Sequence, residues 1–183
     1  MLILRINTMK LNNKGKIYLA GPEVFLPDAN NYFEKTKLLC RNYGYEGISP
    51  FDGEPMTATG LQKAELIFKN NCRLIEMSDL IIANCNSFRG ALMDDGTAFE
   101  IGYARALQKI IYGFIDHHDL LTKNVESKIE TFAHASGYRI DKQGYLVNED
   151  FGNTINLMME MAIQDSGGKL VLGKIEEVLK QLP

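Results

Sequence analysis

Asp79-Leu80-Ile81-Ile82-Ala83-Asn84 decides the architecture. Its consecutive apolar side chains leave neither face for water, so the run reads as a strand in a sheet covered on both sides. The polar loop Cys85 to Gly96 follows and opens onto Thr97-Ala98-Phe99-Glu100-Ile101-Gly102-Tyr103-Ala104. From Phe99 the apolar residues Tyr103, Ala106 and Ile110 recur at helical spacing. A helix is therefore expected there, with Ile110 to Ile115 as the next strand.

Towards the N-terminus the same alternation holds. Lys16 to Ala20 is a buried strand closed by the turn signal Gly21-Pro22. Residues 28–43 carry Tyr32, Phe33, Leu38, Leu39 and Tyr43 among charges and stop at Gly44, the mark of an amphipathic helix. Ile48-Ser49-Pro50-Phe51 is a brief strand that runs into the loop Asp52-Gly53-Glu54-Pro55. A second helix spans Gly60 to Met77, with Leu66, Ile67, Leu74 and Ile75 on one side. Beyond Asp116 the expectation is a helix from Leu121 to Ala133, then a hairpin pairing Tyr138-Arg139-Ile140 with Tyr145-Leu146-Val147. Closing helices follow over Asn153 to Gln164 and Leu170 to Leu182. Leu157, Met158, Met161 and Ala162 form a stripe suited to core or subunit packing. The pattern predicts an α/β fold, a doubly wound and mostly parallel sheet with helices on both faces. No repeat or linker divides it, so residues 1–183 read as one domain, with 1–13 a loose N-terminal extension.

Charge and cysteine usage exclude several classes. A formal net charge of −3 supplies no basic face for nucleic acid. Cys40, Cys72 and Cys85 are odd in number and lack a C-x-x-C spacing, which speaks against a disulfide framework or zinc site and for the cytoplasm. No apolar run approaches the roughly 20 residues needed to span a bilayer, and Met1 to Asn13 lacks a signal-peptide core. There is no Gly-x-Gly-x-x-Gly and no Gly-Lys-[Ser/Thr] loop, so dinucleotides and nucleoside triphosphates are disfavoured. Asp116-His117-His118-Asp119 are loop neighbours that seldom aim at one point, and no metal is expected there.

Glu100 has two readings. Thr97-Ala98-Phe99-Glu100 is a capping box, with Thr97 as N-cap and Glu100 reaching back to it. Ligands of an open parallel sheet, however, bind beyond the carboxyl ends of its strands. That rule brings the Gly21-Pro22-Glu23-Val24-Phe25 loop, the loop holding Asp52, and the segment from Asn84 to Glu100 to one rim. Gly21, Phe25 and Asp52 become candidate substrate contacts, and Glu100 becomes a candidate catalytic carboxylate.

Six segments taken together resemble the nucleoside 2-deoxyribosyltransferase family. They are Lys16 to Pro22, Ser49-Pro50-Phe51-Asp52, Asp79 to Asn84, Phe88-Arg89-Gly90, Asp94 to Ala104, and Ile155-Asn156-Leu157-Met158. The resemblance implies a flavodoxin-like fold and base exchange on 2′-deoxynucleosides without a cofactor. It implies that Glu100 is the nucleophile, that Asp94 moves a proton at the base, and that the Tyr18 hydroxyl holds the nucleophile. Asn156 is implied to reach the sugar 5′-hydroxyl in a neighbouring subunit, which makes the protein a homo-oligomer. Some members carry an aspartate where this chain has Asn70-Asn71-Cys72; Asn71 is placed near the sugar.

The chemistry is coherent. A departing base leaves oxocarbenium character on the sugar, which a carboxylate on the opposite face stabilises or traps, while an acid near the base improves the leaving group. Two inversions at one carbon retain configuration. Two rivals stand beside this reading. A deoxyribonucleoside 5′-monophosphate N-glycosidase would let water take the intermediate; Glu23 in the first loop would repel its phosphate, while Arg89 nearby would favour it. A non-catalytic nucleoside-binding module would have little use for Tyr18, Asp94 and Glu100 together.

Overall fold

The computed structural model describes residues 14–53 and 57–183. The expected N-terminal extension and the Glu54-Pro55 part of the second loop lie outside them. Strands β1 (Lys16–Ala20), β2 (Glu46–Ile48), β3 (Leu80–Asn84), β4 (Ile110–Ile115) and β8 (Leu170–Leu172) build a central sheet in the order β2-β1-β3-β4-β8. Every pairing in it is parallel. The order 2-1-3-4-5 is the flavodoxin-like one, and its switch point falls between β1 and β3.

Period-two alternation divides the strand residues between two cores. Tyr18, Ala20, Ile81 and Ala83 pack with Leu74 and Ile75 of α2 (Gly60–Met77), Ile101 and Ala104 of α3 (Asp95–Ala106), and Ile163 of α5 (Leu157–Asp165). Ile17, Leu19, Leu80 and Ile82 pack with Phe33 and Cys40 of α1 (Ala29–Asn42) and Val178 of α6 (Ile175–Leu179) on the other face. Helices therefore cover both faces. Cys40 and Cys85 are buried inside these cores as small apolar groups.

The chain departs from its sequence pattern in five places. Leu170 to Leu182 holds a strand and then a short helix, because β8 pairs with β4 and Gly173 turns at φ 118°. The pairing depends on Gly113, whose missing side chain leaves room for Leu170, Cys85 and Ile163. The expected helix over 121–133 stops at Lys128, as α4 (Leu121–Lys128). Thr131–Ala133 becomes β5, antiparallel to β6 (Arg139–Asp141), and the Arg139 guanidinium fastens Thr131 Oγ1 and its carbonyl at 2.6 and 2.5 Å. The expected hairpin is present, with β7 (Leu146–Val147) on β6.

The brief second strand ends at Ile48, where the Asp52 carboxylate takes the Ser49 N–H at 2.9 Å and closes a turn ahead of the expected Phe51. On α2, Leu74 and Ile75 are buried but Leu66 and Ile67 face outward. On α3 the buried face is Thr97, Glu100, Ile101 and Ala104, so Phe99 and Ile110 of the expected apolar stripe stand half-exposed.

Candidate active site

The buried face of α3 explains how a carboxylate enters the interior. Thr97, Glu100, Ile101 and Ala104 are spaced i, i+3, i+4, i+7, so Glu100 shares a face with two residues fixed in the core. Tyr18 reaches the same core from the middle of β1 and is 0% exposed; Glu100 is 9% exposed. The Tyr18 hydroxyl donates to Glu100 Oε1 at 2.5 Å. The Glu100 carboxyl is raised to about 7, chiefly by loss of water; the Tyr18 hydrogen bond opposes the rise, and the charge of Asp94 adds to it. Burial first, and the Glu100 charge second, hold the Tyr18 hydroxyl far above the usual tyrosine range. Tyr18 thus stays protonated and donates, while Glu100 lies poised near neutrality to bind or release its proton.

Asp94, and not Thr97, is the N-cap of α3. Its Oδ2 accepts from the Thr97 N–H and the Thr97 hydroxyl, both at 2.9 Å, which leaves Oδ1 outside these bonds. Asp94-Asp95-Gly96-Thr97 outcompetes Thr97-Ala98-Phe99-Glu100 because aspartate supplies the acceptor at N-cap while the threonine hydroxyl adds a second donor. Glu100 is consequently in the second turn rather than the first, and its carboxylate bonds to Tyr18 instead of reaching back to the cap. The two readings of Glu100 therefore separate: capping falls to Asp94, and Glu100 is left as a buried carboxylate.

A cleft of about 450 Å³ opens beside Asp94 and is lined also by Phe25, Phe88, Arg89, Met93 and Ile129. Phe25 and Phe88 stack at 5.3 Å between ring centroids, with the Arg89 guanidinium 4.8 and 4.7 Å from them. Arg89 reaches this place from a left-handed backbone, φ 52°, which costs a non-glycine residue on the order of 1–2 kcal/mol. Gly21 lies at the turn out of β1. A side chain there would come within 2.1 Å of the Glu23 carboxylate and 3.0 Å of Asn84, so glycine lets the loop close on the end of β3. Glu23 Oε1 accepts from Asn84 Nδ2 at 2.6 Å and from the Tyr32 hydroxyl at 3.1 Å, which fixes a carboxylate on this rim.

The remaining sequence candidates fall elsewhere. Asp52 pairs with Lys37 Nζ at 2.5 Å and closes its own turn, and it does not line the cleft. Asn71 has a buried Oδ1 without a hydrogen-bond partner among the described residues, an acceptor left for something to satisfy. Asn156 is the N-cap of α5, accepting from the Met158 N–H at 3.1 Å. It lines a separate cleft of about 220 Å³ that shares Leu92 with the first. Residues that the sequence reading passed over are Thr97 as the donor that orients Asp94, Phe88 as the partner of Phe25, and Glu149, whose carboxylate holds Asn156. For Thr97 the signal was present, since Asp-x-x-Thr is itself a cap pattern; contacts such as those of Glu149 leave none. The Asp116 to Asp119 loop keeps His117 only loosely beside its acids, at 3.6 and 3.8 Å, and no group of three His, Cys, Asp or Glu among the described residues is arranged to hold a metal ion. No described helix is long and apolar enough to cross a membrane.

The chain is thus an α/β protein with a flavodoxin-like sheet and a buried Tyr18–Glu100 pair, and Asp94, at the start of the helix that carries Glu100, lines a cleft that neither member of the pair lines. Residues 17–158 match the family model described as nucleoside 2-deoxyribosyltransferase, and the chain belongs to that family. It is similar to a 2-desoxiribosyltransferase from Leishmania mexicana, with 32% identity and a TM-score of 0.60 over 79% of this chain and 84% of that one. An uncharacterized protein of Schizosaccharomyces pombe is 34% identical over 170 residues, 83% of this chain and 78% of its own length. A CMP N-glycosidase from Clostridium botulinum shares the fold, with a TM-score of 0.50 at 17% identity over 91% of this chain and 95% of that one.

Proposed function

We propose that this chain transfers the 2-deoxyribosyl group between nucleobases of 2′-deoxynucleosides through a covalent glycosyl-enzyme on Glu100, with retention of configuration. The observation that carries this reading is the 2.5 Å bond from Tyr18 to Glu100 inside the core, in the second turn of the helix whose N-cap, Asp94, lines the cleft. Ionised Glu100 attacks the anomeric carbon as the base leaves with its bonding electrons. Asp94 supplies the proton that neutralises the leaving base, and Tyr18 fixes the attacking oxygen's partner in the carboxylate. A second base then attacks the same carbon from the first base's side, returns its surplus proton to Asp94 and frees Glu100. Phe25 and Phe88 offer apolar ring faces to a base, Gly21 shapes the loop that carries Phe25, and Asn71 offers the sugar a buried acceptor. Asp52, tied to Lys37, acts at most by holding the second loop. No metal or organic cofactor enters these steps. The three free thiols suit a reducing cytoplasm.

Incubation of deoxyinosine with free adenine, followed by chromatography, tests the reading. New deoxyadenosine supports it. Free base and deoxyribose without a new nucleoside replace it with the hydrolase, and binding without turnover replaces it with a nucleoside-binding module.

The active form is read as a homo-oligomer in which Asn156 completes a neighbour's site. Two apolar surfaces support this: the outer face of α2 and α3, where Leu61 is 90% exposed and the half-exposed Phe68 meets Phe99, and α5, with Met158 65% exposed. Light scattering is expected to give a multiple of 20.6 kDa. Mixing and re-equilibrating the Glu100→Ala and Asn156→Ala variants is expected to restore exchange above that of either alone, because a hybrid contains one intact composite site. Activity equal to the average of the two separate variants would place Asn156 outside the neighbour's site.

A further inference from the structure

We infer that Glu149 is a positioning residue, and that the three-stranded β5–β6–β7 sheet serves catalysis by delivering it to Asn156. This rests on the reading of Asn156 as a contact of the sugar 5′-hydroxyl.

Glu149 follows β7 by two residues and is half-buried at the start of the segment leading to α5. One carboxylate gathers three donors there. Its Oε2 takes Asn156 Nδ2 at 2.9 Å, and its Oε1 takes Asn153 Nδ2 at 2.8 Å together with the Leu157 N–H. The Asn156 amide is consequently anchored at both ends, with Nδ2 on Glu149 and Oδ1 on the Met158 N–H. An asparagine amide has four hydrogen-bonding positions, and two are spent here. What remains is one N–H and one lone pair in a fixed orientation, the valence that a sugar hydroxyl matches. Without Glu149 the amide can rotate or flip, and ordering it again falls on the substrate.

The companion interactions separate this task from simple folding of the segment. Glu160 Oε2 accepts the Thr154 and Ile155 N–H groups at 2.8 and 3.3 Å, and Asn153 Nδ2 also reaches the Ile155 carbonyl at 2.8 Å. The backbone before α5 is thus held from the opposite side. Glu149 adds to that the bond that fixes the Asn156 side chain. Glu149 and Asn156 also line the same 220 Å³ cleft, together with Tyr145 and with Leu146 and Val147 of β7.

Glu149→Gln keeps the shape but replaces an acceptor oxygen with a donor, which cannot serve three donors at once. The test compares wild type, Glu149→Gln, Asn156→Ala and the double variant on 2′-deoxyinosine and on 2′,5′-dideoxyinosine, with adenine as acceptor. Loss of a charge-assisted hydrogen bond predicts that Glu149→Gln lowers kcat/KM about tenfold on deoxyinosine. On the substrate without a 5′-hydroxyl the same substitution is expected to change little, and in the Asn156→Ala background it adds little on either substrate. Equal losses on both substrates would reduce Glu149 to a fold-stabilising group and overturn the inference. A wild type indifferent to the 5′-hydroxyl would overturn it together with the Asn156 reading, while leaving exchange through Glu100 standing. A wild type without any exchange would remove the underlying functional reading instead.

Discussion

Glu100→Gln is expected to lower base exchange at least about 10⁴-fold, because the amide cannot form the glycosyl ester, although it still accepts the Tyr18 hydrogen bond. Incubation of wild type with a 2′-deoxynucleoside alone, quenched in acid, is expected to give a protein mass increased by one deoxyribosyl group; the variant gives none. The pH profile carries the same assignment. Since burial lifts the Glu100 carboxyl to about 7, kcat/KM is expected to climb as pH rises towards 7 and ionises this carboxyl. The stability consequence has the opposite sign. The carboxyl sits at 4.5 in the unfolded chain and about 7 in the folded one, so below 4.5 both states hold the proton and nothing is lost. Between 4.5 and 7 the unfolded chain alone releases it, and stability falls by roughly 3 kcal/mol before levelling above 7. Glu100→Gln is therefore expected to melt above wild type at pH 8, with the difference vanishing near pH 4. A variant with unchanged exchange would end the nucleophile assignment, and equal melting at pH 8 would show that the buried carboxylate costs nothing.

Asp94→Asn is expected to reduce exchange by about 10² to 10⁴-fold with little loss of stability. The asparagine oxygen still accepts from the Thr97 N–H and hydroxyl, so the α3 cap survives, but no proton is available for the leaving base. With 7-methyl-2′-deoxyguanosine, whose base already carries its positive charge, most of that penalty should disappear. Removal of the Asp94 charge also takes away one of the influences that raise Glu100, so the pH midpoint of the variant should move downward. Asp94→Ala adds to this the loss of the cap, about 1 kcal/mol, visible as a lower Tm. An equal penalty on the methylated and ordinary donors would end the assignment of Asp94 as the proton donor to the leaving base.

The class of fold was legible because it rests on local hydrophobic order. Leu80 to Ala83 has no polar side, and such a run is stable only beneath helices on both faces, which fixed the layered parallel sheet before any contact was known. The site's rim was legible for the same reason, since the carboxyl ends of β1 and β3 can be located from the strands alone. Glu100 was a candidate from the strand-end rule, while Tyr18 and the role of Asp94 came from the family resemblance; in the structure Tyr18 bonds to Glu100, and the charge of Asp94 acts on it. Short segments were misjudged where a distant partner outweighs local preference. Leu170–Leu172 is a strand because β4 offers Gly113, and Thr131–Ala133 is a strand because Arg139 and β6 reach it.

Sequence by itself thus determined the layers and the strands β1, β3 and β4 around which the sheet is built. Only the tertiary structure decided which acid caps α3 and which is buried. Asp-x-x-Thr and Thr-x-x-Glu overlap in one stretch, and both are sound caps as sequences. The choice between them fell to burial: α3 turns Glu100 inward, where the Tyr18 hydroxyl serves its carboxylate, and Asp94 closes the helix.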